Sequence, residues 1–277
     1  MSKFNGKIVL ITGGASGIGR IMGEMALKKG ASALVIWDIN QTNIDATIGE
    51  LKAFGKVVGY RVDVSNYEVV AESYRKVKSE VGDVDILIGT QMLTKGFDFG
   101  GLTLVAVIAA DTLLGVQDFR ADEKAVQILE QFSGRCGRRD SKGLTVIQTS
   151  QPEHPVYKTL VSGGSSEYNG NLLMERKDFG FPPYTRIIET IVKDSNEKRG
   201  NAMAFALAGH LRSDFSITGP YSPAVDKVAD QHIRIMRISL KKDRNLGQHK
   251  KNLMLAIRSF EKERKYDGHI TINVDPA

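Results

Sequence analysis

The stretch KIVLITGGASGIGR, residues 7–20, constrains the chain most. A β-branched apolar run of strand length passes straight into a glycine loop, and IMGEMALKKG then continues at helical spacing. A strand that turns through glycines into a helix commits the chain to a right-handed βα unit on a parallel sheet. The pattern repeats downstream: strand ALVIWD, helix TNIDATIGELKAFG, strand VVGYRVDV, helix YEVVAESYRKVKSEVG, strand VDILI. The expectation over residues 1–88 is half of an α/β, Rossmann-like parallel sheet with helices in outer layers.

The loop has a chemical use. Gly13, Gly17 and Gly19 let the backbone turn tightly and approach a pyrophosphate, with Ser16 and Ile18 between them. A helix beginning near Ile18 points its free N–H groups at such an anion. Asp38 ends the second strand about twenty residues on, where a carboxylate accepts hydrogen bonds from an adenosine ribose and repels a 2′-phosphate. TGGASGIGR, Asp38 and DVSN together resemble the N-terminal half of the short-chain dehydrogenase/reductase family. That resemblance implies NAD as a weakly held cofactor and places Asp63 and Val64 beside the adenine.

After VDILI the resemblance ends. The family has an Asn-Asn-Ala-Gly turn there; this chain has GTQM. The family also needs a Ser and a Tyr-x-x-x-Lys pair, whose tyrosine acts as acid/base. Residues 89–277 contain no Tyr-x-x-x-Lys. Tyr74 and Lys78 have the spacing but precede the fourth strand, so they are expected on the solvated face of a flanking helix.

Residues 86–175 read as strand, loop, strand, helix, glycine-arginine loop, strand. GTQMLTKGFDF resembles motif V of superfamily 2 helicases, which carries over to Gly89, Thr90, Gln91, Lys95 and Asp98. QFSGRCGR resembles their motif VI, which carries over to Gln131, Arg135 and Arg138. Guanidinium groups at such positions grip phosphates bidentately. With TVIQTSQPEHPVYKTL and RKDFGFPPYTRI included, residues 86–277 resemble the C-terminal part of the primosomal replication-restart helicase family. The resemblance implies single-stranded or forked DNA and single-strand-binding protein as partners. The chain contains no G-x-x-x-x-G-K-[ST] loop and no acidic magnesium motif. ATP is therefore expected only if another chain supplies the missing lobe, and unwinding is not expected of this chain alone.

Residues 176–277 read as βαββαβ, a ferredoxin-like α+β domain smaller than the sheet before it. Met203, Phe205, Leu207, Met254, Leu255, Ile257 and Phe260 are its expected core. Arg234, Arg237, Lys241, Lys242 and Arg244 lie on or after one strand and are candidates for phosphates or an acidic partner. Ordinary strand edges carry such charges too.

Composition bounds the rest. Residues 1–88 carry a net charge of +1 and the remainder +5, which permits nucleic-acid binding. A single cysteine, Cys136, excludes an internal disulfide framework, and the five histidines lack metal-ligand spacing, so no metal is expected. No apolar run is long enough for a membrane helix, and the start is not a secretory signal, so no membrane partner and a cytoplasmic location are expected. The expected boundaries are 1–88, a half Rossmann segment; 89–175, the end of a RecA-like helicase lobe; and 176–277. Residues 7–150 are expected to form one continuous parallel sheet that joins at DILIG, with Pro182–Pro183 as a linker beyond it. The leading function is a truncated replication-restart module that binds DNA or its binding protein, fused to a partial NAD site. The alternatives are an NAD(P)-dependent oxidoreductase and an inactive fusion relic.

Overall fold

The computed structural model describes residues 3–90, 102–116, 118–135, 143–223, 225–264, 269–274 and 276. They fall into two compact units, Met1–Val107 with Glu130–Val146, and Ile108–Leu129 with Ile147–Ala277.

In the first unit, β1 (Ile8–Thr12), α1 (Gly17–Lys28), β2 (Ala33–Asp38), α2 (Gln41–Leu51), β3 (Lys56–Arg61), α3 (Tyr67–Glu80) and β4 (Ile86–Ile88) follow in strict alternation. The sheet order is β3-β2-β1-β4 and every pairing is parallel. Val9, Leu10 and Ile11 of β1, and Leu34, Val35 and Ile36 of β2, are almost fully buried because helices cover both faces. Alternate residues feed two cores. Val9, Ile11, Leu34 and Ile36 pack with Ala26, Leu27, Ile44 and Leu51 on one face, while Leu10, Val35, Trp37, Val70 and Val77 pack on the other. Asn40 and Asn66 cap α2 and α3 with their side chains. Asp85 accepts from Lys7 Nζ at 2.7 Å and from the Ile8 N–H at 2.9 Å, fixing the entry to β4 beside β1.

The expected continuous sheet over residues 7–150 does not form among the described residues. β5 (Leu104–Val107) and β6 (Leu144–Ile147) make a separate two-stranded sheet. Their residues alternate between exposed and half-buried, whereas an interior parallel strand must be covered on both faces.

In the second unit a 3₁₀ turn (Ala110–Leu113) precedes α4 (Ala121–Ser133), whose last four residues cluster with the first unit. α5 (Pro155–Ser162) and α6 (Ser165–Asp178) follow. Then come β7 (Thr185–Asp194), α7 (Glu197–Leu211), β8 (Ser216–Tyr221), β9 (Lys227–Val228), β10 (Gln231–Lys241), α8 (Leu246–Arg264) and β11 (His269–Val274). The main strand order is β11-β7-β10-β8, and the pairings are antiparallel. With β7, β8, β10 and β11 as strands one to four, this is order 4-1-3-2, the ferredoxin-like arrangement expected from βαββαβ. β9 adds a short pair to β10.

The core lies between this sheet and the two helices. α7 buries Gly200, Ala204, Leu207, Ala208 and Leu211; α8 buries Leu253, Ile257 and Phe260. Each set is one helical stripe. Leu207, Ile257 and Phe260 hold their expected places and Met203 packs at the margin. Phe205, Met254 and Leu255 fall off the stripes and are exposed, contrary to expectation.

The Pro-Pro segment is a corner inside this unit, not a linker between units. The Pro182–Pro183 peptide is cis. The Phe181 ring stacks on Phe119 at 5.0 Å and 8°, the Phe181 N–H bonds the Arg176 carbonyl, and Thr185 Oγ1 donates to the Gly180 carbonyl. A stacked aromatic pair contributes about 1 kcal/mol beyond its burial. Phe181→Ala is therefore expected to destabilise this unit by roughly 2 kcal/mol, given that the ring is only half-buried. Denaturant unfolding with an unchanged midpoint would show that the corner is not a packed element.

Candidate functional site

The loop after β1 is built by close backbone approach. Gly13 and Gly17 have φ of 66° and 52°, in the left-handed region. A Cβ on Gly19 would lie 2.3 Å from the Gly13 carbonyl oxygen, so only glycine lets α1 start this close to the loop. The Gly13 N–H donates to the Trp37 carbonyl at 2.8 Å, tying the loop to β2. The Asp38 carboxylate accepts from the Ala15 N–H at 3.2 Å and the Asn40 N–H at 3.1 Å. Thr47 Oγ1 donates to the Ala15 carbonyl from α2 at 2.9 Å.

The start of α1 differs from those of α2, α3 and α7. Those three carry an Asn side-chain cap. Ser16 makes no side-chain capping bond, and the first turn of α1 holds no carboxylate. The N–H groups there are left for an anionic oxygen. Ile18 lies beside them, 77% exposed. Asp63 and Val64 follow β3. The hydroxyl and the N–H of Ser65 both donate to Asp63, which holds its carboxyl below the usual range. Val64 packs against the core beneath. The structure thus gathers Gly13, Ser16, Gly17, Ile18 and Gly19 into one loop, with Asp38 bonded to its backbone.

Tyr74 and Lys78 lie on α3; Tyr74 is exposed and Lys78 pairs with Asp83 at 2.9 Å. They are surface residues of a flanking helix, as expected.

The helicase-like residues are only partly described. Gly89 and Thr90 follow β4 and are exposed. Gln131 is exposed near the end of α4, and Arg135 follows it. Gln91, Lys95, Asp98 and Arg138 lie outside the described residues, as does Cys136.

The β10 cations divide by strand parity. Arg234 faces the helices and is 6% exposed; its guanidinium bonds Glu197 at 2.9 Å, the Ile233 carbonyl at 2.8 Å and Asn201. It cannot meet a phosphate without abandoning these partners. Arg237 faces the opposite side, where its Nε bonds Glu189 at 2.8 Å while the side chain stays 43% exposed. Lys241, Lys242 and Arg244 are exposed.

Sequence reasoning missed Asp111. Its carboxylate accepts from Thr149 Oγ1, from the N–H and hydroxyl of Ser150 at 2.8 and 2.7 Å, and from Tyr157 Oη at 3.0 Å. These bonds, the Thr149 one foremost, pull its carboxyl well below the usual range. The partners lie 38 to 46 residues away, so no local signal marks the residue. Among the described residues no group of three His, Cys, Asp or Glu is placed to hold a metal ion. No described helix is long and apolar enough to cross a membrane.

Two family models match the chain: short chain dehydrogenase over residues 7–102, and Primosomal protein N C-terminal domain over residues 177–277. The two matches fall on separate segments of this chain. Among curated proteins it resembles the replication restart protein PriA of Rickettsia felis, 35% identical over 198 residues, which is 70% of this chain and 29% of that protein. PriA of Bacillus subtilis is 30% identical over 224 residues, 79% of this chain and 27% of that protein. The chain thus spans under a third of the length of either. The 198-residue match is longer than the C-terminal domain and must extend upstream of residue 177. Among solved structures, NAD+-bound xylitol dehydrogenase overlays with a TM-score of 0.32 at 21% identity, covering 57% of this chain and 60% of that one. A putative dehydrogenase from Burkholderia cenocepacia with bound NADP gives 0.38 at 16%, covering 49% and 67%.

Asp111 gives a signed pH prediction. A carboxyl whose folded pKa is depressed adds stability that is full above its unfolded value of about 4 and lost as pH falls through the folded value. Asp111→Asn is expected to lower the thermal midpoint at neutral pH and to flatten the loss of stability below about pH 4. An unaltered acid limb in calorimetry would contradict the network's role.

Proposed function

We propose that the chain is a non-catalytic nucleic-acid-binding module of the replication-restart kind, carrying a residual adenosine-nucleotide loop at its N-terminal end. The observation that carries the first part is the C-terminal body. The segment that resembles the primosomal domain is a self-contained ferredoxin-like fold with its own core and exposed cations. Single-stranded or forked DNA and single-strand-binding protein are the proposed partners, and the cytoplasm the proposed compartment. Residues 89–175 are read as the end of a helicase lobe, with 1–88 and 176–277 as the flanking segments. Gln131 and Arg135 of that lobe would act on ATP only beside a phosphate-cradling lobe from another chain.

The residues present fit the adenosine half of NAD. The Gly13–Gly19 loop is narrow enough that a Cβ at Gly19 would fill it, and the first turn of α1 carries no competing acid. Gly13, Ser16, Gly17 and Gly19 would hold the pyrophosphate, Asp38 the ribose, and Asp63 with Val64 the adenine. The nicotinamide of NAD supplies hydride chemistry when it is bound; this chain offers no Tyr-x-x-x-Lys pair after residue 88 to move the accompanying proton. That absence is why an NAD(P)-dependent oxidoreductase stands second.

Three measurements test these readings. ADP-ribose and NAD are expected to raise the thermal midpoint of the first unit, nicotinamide mononucleotide to leave it unchanged, and Gly19→Val to abolish the response. Reduction or oxidation of NAD(H) with any alcohol or ketone above a buffer blank would overturn the non-catalytic assignment. Affinity for single-stranded DNA is expected to fall with salt, the slope of log K against log salt being about 0.7 per phosphate contacted. A salt-independent affinity, or none at low salt, would remove the nucleic-acid reading.

A further inference from the structure

The second unit contains a cleft of ≈ 580 Å³ that the sequence did not announce. Its walls are the segment before α4, the end of α6, the Pro182–Pro183 corner and the outer face of β7 and β10. Five cations line it: Arg120, Arg176, Arg186, Arg237 and Lys242; three carboxylates, Asp118, Glu123 and Glu189, line it with them. The local balance is therefore positive.

The carboxylates have identifiable work. Asp118 takes the Nε and an Nη of Arg120 at 3.0 and 2.9 Å, Glu123 takes Arg176 at 2.5 Å, and Glu189 takes Arg237 at 2.8 Å. These pairs hold guanidinium planes in place rather than merely cancelling charge. Arg120 and Arg176 each sit 5.0 Å from the centre of the Phe119 ring. Arg237 keeps 43% of its side chain open to solvent after pairing. The Lys242 side chain is exposed and has no hydrogen bond or ion pair among the described residues.

A second observation concerns the aromatics. Along the stretch ERKDFGFPPYTR, residues 175–186, cations and rings interleave. Phe181 is committed to its stack on Phe119. Phe179 is 70% exposed and Tyr184 is 40% exposed; neither lines the cleft, but Tyr184 stands between the lining residues Pro183 and Thr185, and Phe179 lies midway along the chain between Arg176 and Pro182. Two large rings are thus left in water on the segment that supplies one wall of a positively charged groove. Positive grooves with exposed rings are how proteins hold a single strand, whose unpaired bases present faces to stack. A duplex hides those faces, and an acidic peptide needs only the charge.

We propose that this cleft is the single-strand site of the chain: Arg237 and Lys242 meet backbone phosphates, and Phe179 and Tyr184 stack bases. The proposal rests on the nucleic-acid reading above and moves its site from the row of five cations on and after β10 to the corner before β7. Arg234 drops out, since it is buried on the other face of the sheet.

The test uses the full chain and fluorescence anisotropy of a labelled oligothymidylate, with a duplex of matching length and an acidic peptide as further arms. Phe179→Ala and Tyr184→Ala are each expected to weaken oligothymidylate binding at least fivefold, about the lower end of one base stack. Phe179→Trp is expected to retain binding. Lys242→Gln is expected to lower the salt slope by about 0.7. Phe179 is exposed enough that its variants keep the fold, which far-ultraviolet circular dichroism checks. Unchanged oligothymidylate affinity in the Phe179 and Lys242 variants overturns the site while leaving the wider reading intact. Failure of the native chain to bind any DNA at low salt sinks that reading and the site with it. Preference for the duplex, or binding of the acidic peptide alone with loss in the same variants, overturns the single-strand assignment.

Discussion

Strand β1 is the constraint on which the N-terminal unit depends. It pairs on both sides, with β2 through five residues and with β4 through three, and its middle is covered on both faces. A strand so enclosed has one exit, at its carboxyl end, and there the chain must turn sharply enough to return as α1. Gly13 meets that demand through its left-handed φ of 66°, and Gly19 because a Cβ there would lie 2.3 Å from the Gly13 carbonyl oxygen. The glycine loop is thus a consequence of burying β1. The match to the short chain dehydrogenase model ends at residue 102, and no Tyr-x-x-x-Lys pair follows it.

The ladder between β7 and β10 plays the same part in the C-terminal body. Ten residue pairs run without a break, from His232 with Asp194 to Lys241 with Thr185. One face of that ladder is closed by α7 and α8 around Met236, Ile238 and Leu240. The other carries Arg237 and Glu189, cations and acids over β-branched neighbours. Because strand residues alternate faces, Arg234 and Arg237 are three apart yet serve different surfaces. One is buried and pairs with Glu197, which is itself exposed, and the other opens on the cleft.

Much of the fold was legible because it is local. The alternation of β-branched runs with helical spacing marked β1 to β4, and TRIIETIVKD coincides with β7. The βαββαβ order sufficed for the ferredoxin-like sheet. What escaped depends on distant partners. Pro182–Pro183 reads as a linker until Phe119, far upstream, is seen stacked on Phe181. α6 buries none of its residues, so no apolar stripe betrays it. Asp111 sits in AADTLL with nothing nearby to mark it. Phe205 and Leu255 look like core by composition and fail by angle. The continuous sheet failed because β5 and β6 lack two buried faces. In the candidate sites, the tight turn of the glycine loop was readable from its glycines, whereas the β10 cations needed the strand's parity and the Arg234–Glu197 pairing before they could be sorted.

The chain is proposed to keep two ligand surfaces, each built within its own unit. Hydrogen exchange of the full chain, read by mass spectrometry with ADP-ribose and then with oligothymidylate, tests it most directly. Slowed exchange is expected at residues 13–19 and 38–40 with the first ligand alone. With the second alone slowed exchange is expected around 118–123, 176–189 and 237–242. Protection of the glycine loop by oligothymidylate, or no slowing in the second set at saturating single strand, would contradict that proposal.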